Sequence, residues 1–237
     1  MAQPTQMEQP ATTIPDLLGN PDIVQCCEAG NSRIREHVQS RSPRVFIISG
    51  PSGVGKDSVL EQLQRIHTSA RYVVTATSRP MRDKEIDGVH YRFLEREDFE
   101  RQVENGEFIE HALVYGNLYG VPRRPIEEGL ASGQHVIVKV DVQGARTLRQ
   151  RITNTISIFL LPESMEALLE RLVDRKTDNV AAVMRRFKTA TEEIEQIGTF
   201  DYVVFNEAGK LDKALVNIQG IIEAELHREH QPSVSIL

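Results

Sequence analysis

The chain has 237 residues, of which 40% are hydrophobic and 26% are charged, so it is not a fully disordered chain and is long enough for one sizeable globular domain. Its 28 basic and 34 acidic side chains give a net charge of −6, which argues against binding nucleic acid through bulk positive charge. The longest apolar runs, residues 45–48 and 156–161, fall far short of the roughly 20 residues that span a bilayer. We expect a soluble protein that recognises anionic ligands through local charges.

The first 43 residues differ in composition from the rest of the chain. Residues 1–15 are rich in Gln, Pro and Thr and show no apolar periodicity, so they are predicted to form a disordered tail. Residues 21–38 carry apolar side chains at spacings that fit one or two short helices, with a break near Gly30 and Asn31. We therefore interpret residues 1–43 as an N-terminal extension that is partly disordered.

No targeting pattern is recognisable in this extension. It lacks the charged and then apolar order of a secretion signal and the arginine enrichment of a transit peptide, and it contains Glu8 and Asp16. The two cysteines of the chain, Cys26 and Cys27, are adjacent, which suits free thiols better than a disulfide framework or a zinc site. A cytoplasmic location is the simplest expectation.

From residue 44 onward, strand and helix patterns alternate. The apolar run 45–48 is typical of a strand buried on both faces, and a helical apolar stripe follows at residues 59–66. Alternating strands and helices imply parallel β-α-β units, so we predict an α/β fold of the P-loop type with a parallel sheet flanked by helices. Short apolar segments between glycines at residues 91–119 predict a small inserted β-rich lobe. Further strands are predicted at residues 72–77, 135–140, 155–160 and 202–205, and further helices at 180–197 and 211–222.

A glycine-rich segment, residues 50–58, joins the first predicted strand to the first predicted helix. Its glycine spacing and its lysine, Lys56, are those of a phosphate-binding P-loop. Glycines allow backbone N–H groups to converge on phosphate oxygens, and the helix N-terminus adds the positive end of its dipole. The alternative is an ordinary glycine-rich turn with a solvated lysine. The predicted ATP-binding residues of the loop are Gly50, Pro51, Ser52, Gly53, Val54, Gly55, Lys56, Asp57 and Ser58.

Asp57 departs from the P-loop consensus, which has Ser or Thr at this position because the hydroxyl binds Mg²⁺. A carboxylate is also a hard oxygen ligand for Mg²⁺. We therefore hypothesise that Asp57 binds the metal directly or through water, with Ser58 as the second candidate. Without a metal between them, Asp57 would repel the phosphates.

Six motifs follow one another along the chain and together resemble the guanylate kinases. This resemblance runs from about residue 44 to the last predicted helix. It implies a P-loop kinase domain at residues 44–237 that phosphorylates GMP or dGMP with ATP and Mg²⁺. It also implies a GMP-binding lobe at about 77–125 and a mobile lid at about 164–188. The motifs are the P-loop, TSRPMR at 77–82, GVHY at 88–91, FIE at 108–110, YGNLYG at 115–120 and DVQG at 141–144.

A basic stretch at residues 71–92 carries five basic against three acidic side chains, a net charge of +2 that suggests an anion site. Guanidinium groups match phosphate oxygens in bidentate fashion. The resemblance implies that Arg79 and Arg82, together with Tyr91 and Tyr119, hold the monophosphate. A solvated charged turn is the alternative.

Glu110 lies in an apolar setting, and the resemblance makes it the residue that reads guanine. One carboxylate accepts hydrogen bonds from both N1–H and N2–H₂ of guanine, whereas adenine presents an acceptor at N1. The resemblance also assigns Thr75 and Asp141 to the GMP site. Without the motif, Glu110 would be interpreted as a surface residue of the lobe.

A second basic stretch, residues 170–188, carries six basic against three acidic side chains, a net charge of +3 that fits a lid over phosphates. By resemblance its arginines close over ATP and the transferred group, where cations stabilise the transition state. Asn206 matches a position near adenine, although a turn-forming asparagine fits equally well. The predicted catalytic residues are Lys56, Arg79, Arg171, Arg175 and Arg186.

Two further positions depart from the family pattern. Lys139 stands where the family commonly has the first Asp of Asp-x-Asp-x-Gln-Gly, and Val121 stands where a hydroxyl residue often assists the monophosphate. Lys139 removes a carboxylate that the family pattern has, and we expect that it could instead add a cation near the phosphates. One alternative function is a catalytically silent interaction module like the guanylate-kinase-like domains of scaffold proteins, but such modules typically have a degraded P-loop and this chain keeps Lys56. Another is a P-loop kinase for a different nucleotide, against which Glu110 and Thr75 argue. We expect no nucleic-acid or membrane partner, and the oligomeric state stays open.

Overall fold

The computed structural model divides the chain into two compact units, residues 1–41 and 42–237, and each is described by itself. The residues that the structure describes are 13–39, 42–83, 85–114, 116–173, 180–229 and 232–237.

Within residues 13–39, the described part of the first unit, there are two helices, α1 (Ile14–Leu18) and α2 (Pro21–Gln39). The predicted break near Gly30 and Asn31 is wrong, because α2 runs through both residues without interruption. A single glycine costs a helix only about 1 kcal/mol, and the residues after it continue the helix. The predicted disordered tail is also wrong at its end, since α1 includes residues 14 and 15; residues 1–12 lie outside the described part. Cys26 and Cys27 are free and exposed.

The second unit contains a central parallel sheet and a smaller sheet. The strands are β1 (Val45–Ser49), β2 (Arg71–Val73), β3 (Ala76–Thr77), β4 (Arg92–Phe93), β5 (Phe108–Val114), β6 (Asn117–Pro122), β7 (Val136–Lys139), β8 (Ile156–Leu161) and β9 (Tyr202–Phe205). The helices are α3 (Lys56–Ile66), α4 (Arg96–Glu104), α5 (Arg123–Ala131), α6 (Val142–Arg151), α7 (Met165–Val173), α8 (Val180–Ile194) and α9 (Leu211–Leu226), with a short 3-10 turn at Ile197–Thr199.

The central sheet has the strand order β2-β7-β1-β8-β9, and every neighbouring pair is parallel. Side chains of β1 alternate between the two faces. Phe46 and Ile48 pack into the core cluster that includes α3 and α9, whereas Val45 and Ile47 pack into the cluster that includes α5 and α6. Both faces of β1 are therefore covered by helices, which explains its continuous apolar sequence. The predicted α/β fold with a parallel sheet flanked by helices is confirmed.

The smaller sheet forms the inserted lobe and has the order β4-β3-β6-β5. The single strand predicted at residues 72–77 is wrong: β2 belongs to the central sheet and β3 to the lobe, because the chain leaves one sheet for the other at Val74 and Thr75. The lobe also contains a helix, α4, that the apolar pattern did not predict. Its inward face consists mainly of Phe99, which stacks on Phe108 with ring centroids 4.6 Å apart.

The predicted lid region contains α7 and the first part of α8. Residues 174–179 between these helices lie outside the described residues, and so does the predicted catalytic residue Arg175. The helix predicted at 180–197 ends at Ile194 and is followed by the 3-10 turn. Among the described helices, none has the length and apolar character that crossing a membrane requires.

Candidate active site

A cavity of about 290 Å³ lies between the P-loop, the lobe and α8. Most of the residues that sequence analysis assigned to substrate line this one cavity, although they are spread over more than 130 positions of the chain. The predicted site residues on its wall are Ser52, Gly53, Gly55, Lys56, Asp57, Thr75, Arg79, Arg82, Tyr91, Glu110, Tyr119, Asp141 and Arg186.

The P-loop follows β1 directly, and its backbone shape requires glycine. Gly53 and Gly55 have φ values of 90° and 94°, in the left-handed region that side chains disfavour. A Cβ at Gly50 would lie 2.4 Å from the carbonyl oxygen of Leu160 on β8. Gly55 precedes the first residue of α3 and has no side chain to cap it, so the first N–H groups of α3 face an incoming anion.

Lys56 folds back over the loop that precedes it. Its Nζ donates to the carbonyl oxygens of Gly50, at 2.5 Å, and Pro51, at 3.2 Å. Burial lowers the pKa of Lys56, while the nearby carboxylates of Glu193 and Asp57 act in the opposite direction. The ammonium therefore lies inside the P-loop, on the wall of the cavity.

Glu193 of α8 is a site residue that sequence analysis missed. Its Oε2 accepts a hydrogen bond of 3.2 Å from the backbone N–H of Ser52, and burial raises the pKa of Glu193 although Lys56 opposes this shift. Arg186 of the same helix donates to the Ser52 hydroxyl at 2.8 Å. Arg186 and Glu193 are seven positions apart and therefore share one face of α8. The helix was predicted from its apolar residues, which carry no information about the role of this polar face.

Two of the three residues that depart from the family pattern, Asp57 and Lys139, are in contact. The Lys139 Nζ is 2.5 Å from Asp57 Oδ1 and 4.2 Å from the centre of the Tyr91 ring. Burial alone would lower the pKa of Lys139, but Tyr91 and Asp57 outweigh burial and raise it above its usual value. The spacing of 82 positions hides this ion pair in the sequence.

The side of the cavity formed by the lobe, called the acceptor side below, carries the residues that are predicted to hold the monophosphate. Arg79 is buried and forms a short ion pair with Glu85, at 2.5 Å. Burial would lower the pKa of Arg79, but Glu85 and Tyr119 raise it, so the guanidinium stays charged. The Arg79 guanidinium lies 5.1 Å from the Tyr91 ring, and Tyr91 packs edge-on against Tyr119. Arg82 is more exposed, and its backbone N–H donates to Glu85.

Glu110 of β5 lies deep in the cavity and is only 4% exposed. Burial and the neighbouring charge of Asp141 raise the pKa of Glu110 to about 8. Asp141 itself caps α6, because its Oδ1 accepts a 2.7 Å hydrogen bond from the N–H of Gly144. Thr75 is buried on the same wall. Val121 is 1% exposed and belongs to the apolar core. At this position the chain therefore has an apolar contact where the family often has a hydroxyl group.

Arg171 and Asn206 do not line the cavity. Asn206 Nδ2 donates to the carbonyl oxygen of Val54 at 2.8 Å. The guanidinium of Arg171 donates to the carbonyl oxygens of Val54 and Asn206 and to the Glu163 carboxylate. Both side chains thus brace the P-loop from outside, and their roles toward ATP stay predictions. Ser58 is exposed on the first turn of α3.

Comparison with known proteins identifies the family. The guanylate kinase family model matches residues 42–225. The chain is 44% identical over 195 residues to guanylate kinase 2, chloroplastic/mitochondrial, of Oryza sativa subsp. japonica, covering 82% of this chain and 68% of that protein. It is 39% identical over 181 residues to the guanylate kinase of Carboxydothermus hydrogenoformans, covering 76% and 88% of the two chains.

A solved structure agrees with these relatives. The crystal structure of guanylate kinase from Anaplasma phagocytophilum superposes with a TM-score of 0.64 at 32% identity, covering 80% of this chain and 89% of that one. The P-loop, the inserted lobe and the cavity between them are therefore found in a chain whose sequence and fold both match one family. This protein belongs to the guanylate kinase family.

Proposed function

We propose that the protein transfers the terminal phosphoryl group of ATP to GMP or dGMP, giving ADP and GDP or dGDP. The observation that carries this proposal is the buried carboxylate of Glu110 in the same cavity as the P-loop lysine, Lys56. A group that would read guanine and a loop that would bind a triphosphate then line the same cavity. Family membership supports the same reaction.

The donor ATP would be held by the P-loop. Converging N–H groups and the N-terminus of α3 bind phosphate oxygens, and Lys56 supplies a full positive charge. Phosphate oxygens are stronger acceptors than the carbonyls of Gly50 and Pro51 that Lys56 contacts in the free protein. Lys56 is therefore able to exchange these carbonyls for the bound nucleotide.

Selection of guanine would rest on Glu110. Ionised Glu110 accepts hydrogen bonds from both N1–H and N2–H₂ of guanine, and Thr75 contacts the base beside it. Adenine would place a lone pair against a buried carboxylate, and an unsatisfied buried charge is strongly penalised. The GMP phosphate would then lie near Arg79, Arg82 and the two tyrosines, of which Tyr91 is linked to the P-loop through Lys139 and Asp57.

The chemical step needs no general base, because an oxygen of the acceptor phosphate attacks the γ-phosphorus while the bond to the ADP oxygen breaks. Charge spreads over the equatorial oxygens of the transferred group, so catalysis consists of positioning and stabilisation by cations. Lys56, Arg79 and Arg186 line the cavity in which this charge develops. By family resemblance Arg171 and Arg175 join them when the lid closes, which excludes water and suppresses ATP hydrolysis.

We also propose Mg²⁺ as the ion that accompanies ATP. The half-exposed carboxylate of Asp57 is a suitable oxygen ligand at the start of α3, and Ser58 is the second candidate. Within the described part of the chain, no group of three or more acidic, His or Cys side chains is placed to hold a metal. Asp57 and Ser58 would therefore suit an ion that takes most of its ligands from the nucleotide and water. Such an ion would neutralise part of the phosphate charge.

The decisive experiment measures phosphoryl transfer from ATP to GMP, dGMP, AMP, UMP and CMP in parallel. We expect turnover with the two guanine nucleotides and little with the others. Equal rates with AMP would contradict guanine selection, and no turnover with any acceptor would favour the silent interaction module. Retention of Lys56, Arg79 and Arg186 in the cavity argues against that module.

For the location in the cell, we propose the cytoplasm, because exposed free thiols such as Cys26 and Cys27 suit a reducing compartment. A fluorescent fusion to the C-terminus of the full chain tests this. Diffuse cytosolic signal is expected, and signal confined to an organelle would contradict the proposal.

A further inference from the structure

The ion pair of Asp57 and Lys139 changes the charge of the cavity. The family pattern has a neutral hydroxyl residue at the first position and commonly a carboxylate at the second, whereas this chain has a carboxylate and an ammonium. The pair is therefore neutral where the pattern is negative, and the cavity is more positive by one unit charge. Because both substrates are anionic, this added charge favours their binding.

Lys139 lies between two parts of the cavity: the P-loop, which would bind the donor ATP and is called the donor side, and the acceptor side formed by the lobe. It is the last residue of β7, and its side chain is 7% exposed and lines the cavity wall. Its ammonium contacts the P-loop through Asp57 and lies against Tyr91 of the lobe. Arg79 contacts the same tyrosine ring from the acceptor side. Two cations thus lie against Tyr91: Arg79, which the resemblance assigns to the acceptor phosphate, and Lys139, to which it assigns no ligand.

The two members of the pair differ in their need for a partner. Asp57 is half exposed, so water solvates its carboxylate when the pair opens, whereas Lys139 is almost fully buried and needs an anion inside the cavity. A phosphate monoester carries more negative charge than one carboxylate and has three acceptor oxygens. When such a group enters on the Tyr91 side, it competes with Asp57 for the Lys139 ammonium.

We propose that Lys139 is an additional ligand of the acceptor phosphate, supplied by the central sheet instead of the lobe. Asp57 balances its charge in the free protein, and the phosphate of GMP takes over part of that role when it binds. This inference rests on the proposed function, since it assumes that GMP occupies the lobe side of the cavity.

The test compares GMP with guanosine, which carries the same base and no phosphate. Binding of each ligand is measured by calorimetry without ATP or Mg²⁺, for the parent protein and for Lys139→Met, which keeps an unbranched side chain one atom shorter and removes the charge. We expect Lys139→Met to weaken GMP binding about tenfold and to change guanosine binding less than twofold. Lys139→Arg keeps the charge and is expected to retain most of the preference for GMP over guanosine.

A matched control is Lys213→Met, which removes the same charge from an exposed position on α9 and should leave both affinities unchanged. Thermal unfolding of each variant shows that it is folded. If Lys139→Met weakens GMP and guanosine equally, or weakens neither, the proposed ligand role is overturned while guanylate kinase activity stands. If the parent protein binds no GMP, the proposed function fails, and this inference fails with it.

Discussion

The donor and acceptor sides of the cavity are built in different ways. The donor side is mainly backbone, because the glycines of the P-loop set its shape and the preceding strand β1 is held between β7 and β8. The acceptor side is mainly side chains whose charges balance one another, such as Arg79 with Glu85. Backbone N–H groups do not distinguish one base from another, whereas a buried carboxyl group such as that of Glu110 does. We therefore expect base selection to arise on the acceptor side, and general triphosphate binding on the donor side.

The largest expected effect comes from breaking the donor side alone. Lys56→Met removes the one positively charged side chain of the P-loop, so we expect kcat to fall by about 10³-fold, the order of loss when a preorganised charge is removed. The dissociation constant for GMP, measured by calorimetry, should change by less than a factor of about two. Lys213→Met is the control for loss of a surface lysine. A kcat within about tenfold of the parent would contradict the assigned role of Lys56.

Breaking the acceptor side should affect only one substrate. In Glu110→Gln, the amide N–H₂ meets donors of guanine, so we expect kcat/KM for GMP to fall about 10²-fold while KM for ATP is nearly unchanged. Glu107→Gln, at an exposed glutamate just before β5, is the matched control and should behave like the parent. A parallel rise in KM for ATP would mean that the two sides are not separate.

The raised pKa of Glu110 predicts a pH dependence on the acceptor side. The carboxyl is mostly protonated below a pKa of about 8, and guanine requires the ionised form. Affinity should therefore rise with pH, by up to about tenfold per unit well below pH 8, and level off above it. Guanosine is the ligand to use, because it has no phosphate group whose own titration would alter the profile. A profile as flat as that of Glu110→Gln would contradict the raised pKa.

The smallest expected effect concerns the hydrogen bond from Asn206 that supports the P-loop from outside the cavity. Asn206→Ala removes the 2.8 Å hydrogen bond to the Val54 carbonyl, which costs about 1 kcal/mol of stability, and we expect a several-fold rise in KM for ATP. GMP affinity should stay unchanged. If GMP affinity fell as much as ATP affinity, Asn206 would support the whole cavity and not the P-loop alone.

The P-loop could be predicted well from the sequence because the residues that determine it are contiguous. The strand, the glycines, Lys56 and the helix follow one another within about twenty residues, so local patterns describe them fully. The same holds for the central strands, whose apolar runs reflect burial on both faces. The division of residues 72–77 between two sheets could not be predicted, because Val73 and Ala76 are both buried apolar residues and only their tertiary partners differ.

Contacts across the cavity were beyond sequence patterns for a related reason. Asp57 and Lys139 each looked like an isolated departure, since the pairing of β1 with β7 is what brings their side chains together. Glu193 carried no signal because a glutamate on the polar side of an amphipathic helix is ordinarily solvated. The family resemblance supplied Arg79, Tyr91 and Glu110, but the raised pKa of Glu110 depends on packing that only the structure describes.

The passage of the chain from the central sheet to the lobe at Val74 and Thr75 has a mechanical consequence. β2 ends at Val73 and β3 begins at Ala76, so only two residues join the two sheets here, and Thr75 also lines the cavity. The chain leaves the lobe as abruptly, because β6 ends at Pro122 and α5 begins at Arg123. With connections this short, the position of the lobe fixes the position of the cavity wall at Thr75.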